Sequence, residues 1–207
     1  MNRARLLAGL GAIVLAALVL SGIAPYDHLT WLLEVAPVLI AAPLLATTWR
    51  RFPLTTLLYV LIALHALVLI YGGAYTYARV PLGFWMQDLF DLGRNPYDKI
   101  GHFMQGFAPA LIAREILLRG GFVSGRRMAA FLCVCVALAI SAAYEMVEWW
   151  VALAIEQGAH EFLGTQGDVW DTQADMFWAL VGAALALATL SRMQDRQMNA
   201  LRNEQRG

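Results

Sequence analysis

Six apolar stretches, each close to the roughly 20 residues that cross a bilayer at about 1.5 Å per residue, succeed one another along the chain. They run from Leu6 to Ala24, Leu29 to Thr48, Leu54 to Ala74, Asp98 to Leu118, Met128 to Trp150 and Asp171 to Leu190. Short polar breaks separate them. Pro25 to His28 makes a tight turn, Trp49 to Pro53 sets two arginines between aromatic residues, and Gly120 to Gly125 is a glycine-rich loop bordered by Arg119, Arg126 and Arg127. This pattern predicts an all-α fold, a polytopic integral membrane protein built as one domain of six transmembrane helices over residues 1–207. Pro37 and Pro43 predict a bend in the second helix, since each removes a backbone donor and crowds the turn before it. The longest break, Tyr75 to Asn95, carries Leu82, Trp85, Met86 and Leu89 at helical spacing opposite Gln87, Asp88 and Asp91. That predicts a short helix, either lying in the membrane interface or closing over a cavity. Beyond Leu190 the chain turns polar and basic, which predicts a frayed tail.

Composition and charge add an orientation. Of the 207 residues, 60% are hydrophobic and 14% charged, against about 25% charged in soluble domains. The net charge is zero, yet the basic residues are unevenly placed. With the N-terminus in the cytoplasm and six spans, Arg3, Arg5, Arg50, Arg51, Arg114, Arg119, Arg126, Arg127, Arg192, Arg196, Arg202 and Arg206 lie inside, and Arg79, Arg94 and Lys99 lie outside. This is the positive-inside distribution, and it predicts that both termini are cytoplasmic. Arg3 and Arg5 precede an apolar run too long for a signal-peptide core, so the first stretch reads as an uncleaved span. Cys133 and Cys135, two apart on one helix, point in different directions and cannot bridge; they read as buried small hydrophobes. The partner the composition names is the lipid bilayer. No nucleotide or nucleic-acid motif is present, and the sequence does not fix an oligomeric state.

Three stretches interrupt the apolar pattern on what this orientation makes the outer side: Tyr97 to His102, Tyr144 to Trp149, and Gly164 to Gly182. Part of their polarity has a plain structural reading. Asn95 suits an N-cap with Pro96 as the first helical residue, which sets Asp98 where an acid complements the helix dipole. Asp168 likewise suits an N-cap with Asp171 at the capping-box position. His102 and Asp175, however, lie about 10 Å along their helices, deeper than capping reaches, and with the fifth helix running to Ile155 Glu148 lies at a matching depth. A carboxylate at that depth costs at least a few kcal/mol unless it faces protein, a partner or water.

Asp98 and His102 share a face at i, i+4, Glu145 and Glu148 at i, i+3, and Asp168, Asp171 and Asp175 at i, i+3, i+7. Helices four, five and six turned inward therefore gather one imidazole and several carboxylates in a pocket. So many like charges require a divalent cation or shared protons. One histidine with carboxylates suits Mg, Mn or Zn, with His102, Glu148 and Asp175 as ligands and Asp98, Glu145 and Asp171 as catalytic base or as supports that hydrogen-bond the ligands. Gln105, Tyr144, Gln173 and Asp168 form the candidate outer ring of hydrogen-bond partners. Three functions are compatible with this set: a metal-dependent hydrolase or transferase acting on a lipid headgroup or lipid-linked envelope component, a proton-coupled transporter or binding protein, and a structural lock in an accessory protein. His65, alone near the middle of the third span, reads as a satisfied core hydrogen-bonder.

Three motifs carry a family likeness: Tyr-Asp-Lys-Ile-Gly-His-Phe-Met-Gln-Gly-Phe at 97–107, Ala-Tyr-Glu-Met-Val-Glu-Trp-Trp at 143–150, and Gly-Thr-Gln-Gly-Asp-Val-Trp-Asp-Thr-Gln-Ala-Asp-Met at 164–176. Over most of its length the chain resembles the YjdF family of uncharacterised bacterial inner-membrane proteins. More distantly, Asp98, Lys99, His102, Phe103, Glu145 or Glu148, Asp175 and Gly182 fit the pattern of VanZ-like proteins, from which Ala179 departs where an asparagine is usual. The resemblance implies a multi-pass protein of the bacterial inner membrane and lends weight to an envelope-lipid role. It assigns no catalysis.

Overall fold

The structure, a computed structural model, describes residues 3–155 and 166–204. Among them are seven α-helices: α1 (Arg3–Ile23), α2 (His28–Thr48), α3 (Thr56–Tyr75), α4 (Pro81–Phe90), α5 (Tyr97–Arg119), α6 (Arg126–Ile155) and α7 (Asp171–Glu204), with a single 3-10 turn at Tyr77–Arg79. Of the loop read between Gln157 and Gly167, residues 157–165, with His160 and Glu161, lie outside the described residues.

Five of these helices, α1, α2, α3, α6 and α7, are long and apolar enough to cross a membrane. The fourth of the six expected spans, α5, is as long but more polar. It carries Asp98, Lys99, His102, Arg114, Glu115 and Arg119 because it is the helix the others surround: α7, α6 and α3 all pack against it. Its closest neighbour is α7. A Cβ on Gly106 would run into the backbone oxygen of Ala179, and one on Gly182 into that of Phe103. Small residues here let two backbones touch, which is how helices associate where lipid removes the hydrophobic drive. Ala110, Ala179, Ala183 and Ala186, all fully buried, extend the seam.

Two polar networks fix the ends. At the end holding both termini, the Glu115 carboxylate is fully buried. It accepts from Thr55 N (2.9 Å), Thr55 Oγ1 (2.8 Å) and Arg119 (2.6 Å). Gln194 donates to Leu111 O and accepts from Arg114, which also pairs with Asp195 at 2.6 Å. Gln197 accepts from Leu57 N. These contacts tie α7 to α3 and α5, so the helix continues to Glu204 and the expected frayed tail is corrected: its glutamines are interior hydrogen-bonders, with Met198 and Leu201 buried beside them.

At the opposite end α5 begins one residue later than the N-cap reading, at Tyr97. Asn95 still serves the helix start, accepting from Tyr97 N at 3.0 Å while donating to Val80 O. The expected capping box on the last helix is not formed. That helix starts at Asp171, and Asp168 accepts from Trp170 N within the preceding turn. The short helix read between Tyr75 and Asn95 is α4. Its Leu82, Trp85, Leu89 and Phe90 are exposed, which suits seating in lipid headgroups rather than on protein. Two further expectations are corrected. Cys133 is buried but Cys135 is exposed on α6, and His65 Nε2 is buried with no hydrogen-bond partner.

Candidate functional site

Because Gly106 and Gly182 bring α5 and α7 into backbone contact, His102, one turn before Gly106, and Asp175, two turns before Gly182, face each other. His102 Nε2 lies 3.9 Å from Asp175 Oδ2, 3.4 Å from Asp98 Oδ1 one turn back on α5, and 3.7 Å from Glu145 Oε1 on α6. Three helices thus aim three carboxylates at one nitrogen. The other ring nitrogen, Nδ1, is 2.9 Å from Gln105 Oε1. An amide oxygen only accepts, so Nδ1 carries the proton and Nε2 is left to face the carboxylates.

Candidate ligand atoms of Asp98, His102 and Asp175 lie within 4.8 Å of one another, and so do those of His102, Glu145 and Glu148. His102 is common to both sets. It is 5% exposed and Asp175 2%; Glu145 Oε1 and Asp175 Oδ1 are buried with no hydrogen-bond partner. In a native interior, such orphaned polar atoms call for a specific explanation.

The other residues singled out from the sequence are distributed around this centre. The Tyr144 hydroxyl donates to Glu34 Oε2 at 3.0 Å, which joins α6 to α2. Asp171 pairs with Arg94, and Asp168 lies 3.4 Å from the same guanidinium. This partner makes Asp171 a clasp at the mouth of the bundle rather than a free base. Burial works against the charge of Arg94, but its pairing with the two aspartates outweighs that and raises its pKa. Gln173 is exposed and stands apart from the cluster.

Sequence reasoning missed Glu34 and Arg94 as parts of the site. A carboxylate in the outer third of an apolar span was the available signal for Glu34; Arg94 sits in a loop and gave none. Gln166, whose side chain brackets the Asn95 backbone from both sides (N to Oε1 3.1 Å, Nε2 to O 3.0 Å), was also missed.

Beside the cluster opens a cavity of about 1420 Å³. Glu34, Asp98, His102, Gln105, Tyr144 and Glu148 line one end, and the walls beyond come from α1, α2, α3, α5 and α6.

Apolar spanning helices wrapped around a histidine ringed by carboxylates define the class: a multi-pass membrane protein with a polar centre in its interior. Within it the chain belongs to the family described as predicted membrane protein (DUF2238), whose model matches residues 6–196. It is 61% identical over 181 residues, 87% of each chain, to the inner membrane protein YjdF of Escherichia coli strain K12. That relative and the apolar helices support an inner-membrane location. No solved structure matches the chain.

Proposed function

We propose that this protein is a metal-dependent hydrolase or transferase acting on an envelope lipid or lipid-linked headgroup, with a divalent cation, Mg, Mn or Zn, held by His102, Asp98, Glu145 and Asp175. The observation that carries the reading is the ring of carboxylate oxygens 3.4, 3.7 and 3.9 Å from His102 Nε2. A single N–H serves one acceptor well, at about 2.7 to 3.2 Å, and none of the three lies within that range. Ligands about 2.0 to 2.2 Å from a tetrahedral ion stand about 3.3 to 3.6 Å apart, close to the spacing observed. A cation at the centre also removes the repulsion among the carboxylates and partners the orphaned Glu145 Oε1.

Bound there, the ion would polarise a headgroup oxygen and lower the pKa of a coordinated water toward about 7. Glu148 adjoins both the cluster and the cavity, and is the residue best set to move the proton. With the N-terminus cytoplasmic and six spans, as the arginine distribution favours, the cluster lies toward the outer leaflet. A proton-coupled carrier of polar solutes fits less well. Beyond the cluster the cavity offers His65, Tyr59 and Thr48 among mostly aliphatic side chains, and a polar solute needs a polar path.

The test is elemental analysis of the purified full-length protein, wild type against His102→Ala combined with Asp175→Ala. The wild type is expected to retain a divalent ion that the double variant loses; equal metal content in both sinks the proposal. Headgroup release from vesicles of bacterial total lipid should then require the ion and fail in Glu148→Gln.

A further inference from the structure

One buried acid takes no part in the proposed reaction. Glu34, on α2 and 7% exposed, lines the same end of the cavity as Asp98, His102 and Glu148, yet it is neither a proposed ligand nor the proton carrier. Its Oε2 accepts from the Tyr144 hydroxyl, a neutral donor that brings no charge. Among the described residues no lysine or arginine lines the cavity. A carboxylate buried without a cation is costly, so a cation that arrives as part of a ligand removes that cost.

The surroundings of Glu34 fit one kind of cation. A Cβ on Gly73 would press on the Glu34 side chain, and Cβ atoms on Gly72 and Gly101 would run into opposite edges of the Tyr77 ring. These glycines therefore seat an acid and an aromatic ring as neighbours, with Tyr77 held between α3 and α5 and 8% exposed. Tyr77 and Tyr144 both line the cavity with Glu34. A carboxylate flanked by aromatic rings takes an alkylammonium group, whose charge meets the acid and whose carbons meet the rings. A hard divalent ion instead takes several oxygen ligands and gains little from rings.

Beyond this end the walls are aliphatic, with Val14, Val38, Leu45, Ile62, Ile112 and Ile140 among them. The cation therefore arrives on hydrocarbon. We infer that the cavity binds a lipid whose head carries a primary ammonium group, with the ammonium at Glu34 against Tyr77 and Tyr144 and the hydrocarbon along the aliphatic walls. A head without positive charge leaves Glu34 uncompensated. This names the substrate class for the site proposed above; it rests on that reading for the reaction and not for the binding.

The experiment is lipid competition on the full-length protein in mild detergent. The protein is equilibrated with equal amounts of phosphatidylethanolamine, its N-acetylated form and phosphatidylglycerol, all with the same acyl chains, and the retained lipid is extracted and quantified by mass spectrometry. N-acetylation removes the positive charge and keeps the rest of the head. The wild type should retain phosphatidylethanolamine at least about tenfold over each of the other two, a preference of about 1.4 kcal/mol. Glu34→Gln should abolish that preference while leaving metal content unchanged.

Should Glu34→Gln fail to fold, a diazirine-bearing long-chain alkylamine crosslinked to the wild type gives the same answer. Labelling should be competed by dodecylammonium but not by dodecanol, which lacks the charge, or butylammonium, which lacks the chain. Equal retention of the three lipids, a preference for phosphatidylglycerol, a preference unaltered in folded Glu34→Gln, or equal competition by dodecanol or butylammonium overturns the inference. Amine preference without metal would sink the enzyme reading and leave the lipid site; metal without amine preference would do the reverse.

Discussion

Gln105 orients His102. The Nδ1–H donates to the amide oxygen, which turns Nε2 to the carboxylates. Gln105→Leu removes that orientation without touching a ligand, and chelator competition should show metal affinity lower by about 10- to 100-fold, the usual effect of losing such a support. At the other end of the bundle Glu115 is a purely structural counterpart. It is fully buried and every oxygen is satisfied. Glu115→Ala leaves the Thr55 amide without its acceptor and Arg119 with only the Pro53 carbonyl in place of a carboxylate, and should cost about 3 to 5 kcal/mol, read as a lowered unfolding temperature in detergent with metal content per folded molecule unchanged. Glu115 and Asp175 are both buried acids on helices read from the sequence as spans. What separates them is the neighbouring charge: Glu115 has Arg119 one turn on, whereas Asp175 faces further acids.

The element that determines the site is the α5–α7 seam, because the approach of two backbones at Gly106 and Gly182 sets how far Asp175 stands from His102. Gly182→Val drives a methyl pair into the Phe103 carbonyl and must push the helices apart. Both thermal stability and metal retention should fall, whereas Leu185→Ala, on the lipid-facing side of the same helix and 46% exposed, should leave metal retention as in wild type. The glycines were visible in the sequence, but their pairing across two helices was not, since periodicity describes one helix at a time. The α7 extension shows the same limit. Gln194 and Gln197 read as tail residues until α3 and α5 supply their partners. In contrast α4, α2 and α6 follow closely from the apolar spacing, because their outer faces answer to lipid alone and need no partner to explain them.

For the whole molecule, the distribution of arginines favours six spans with both termini in the cytoplasm. A green fluorescent protein fused after Gly207 should therefore fluoresce, and alkaline phosphatase inserted at Gly93, in the loop joining α4 to α5, should be active in the periplasm. The opposite pair of results would invert the topology and move the cluster to the inner leaflet. The two networks at opposite ends, Glu115 with its arginines and Arg94 with Asp168 and Asp171, hold the bundle closed above and below. The cavity lies between them.

Read alone, the sequence determined the solvent, the helical class, the approximate spans and the stretches carrying unusual polarity, because bilayer thickness and the cost of burying charge act on each segment separately. It also singled out His102, Glu148 and Asp175 as deeper than capping explains. Only the tertiary structure decided which acids share a centre: it brought Glu145 and Asp175 to the Asp98–His102 pair, gave Asp171 to Arg94 and left Gln173 exposed. It added Glu34 and opened a cavity that no linear pattern encodes. Distances between helices depend on which small residues meet, and that is a property of pairs of segments rather than of any one.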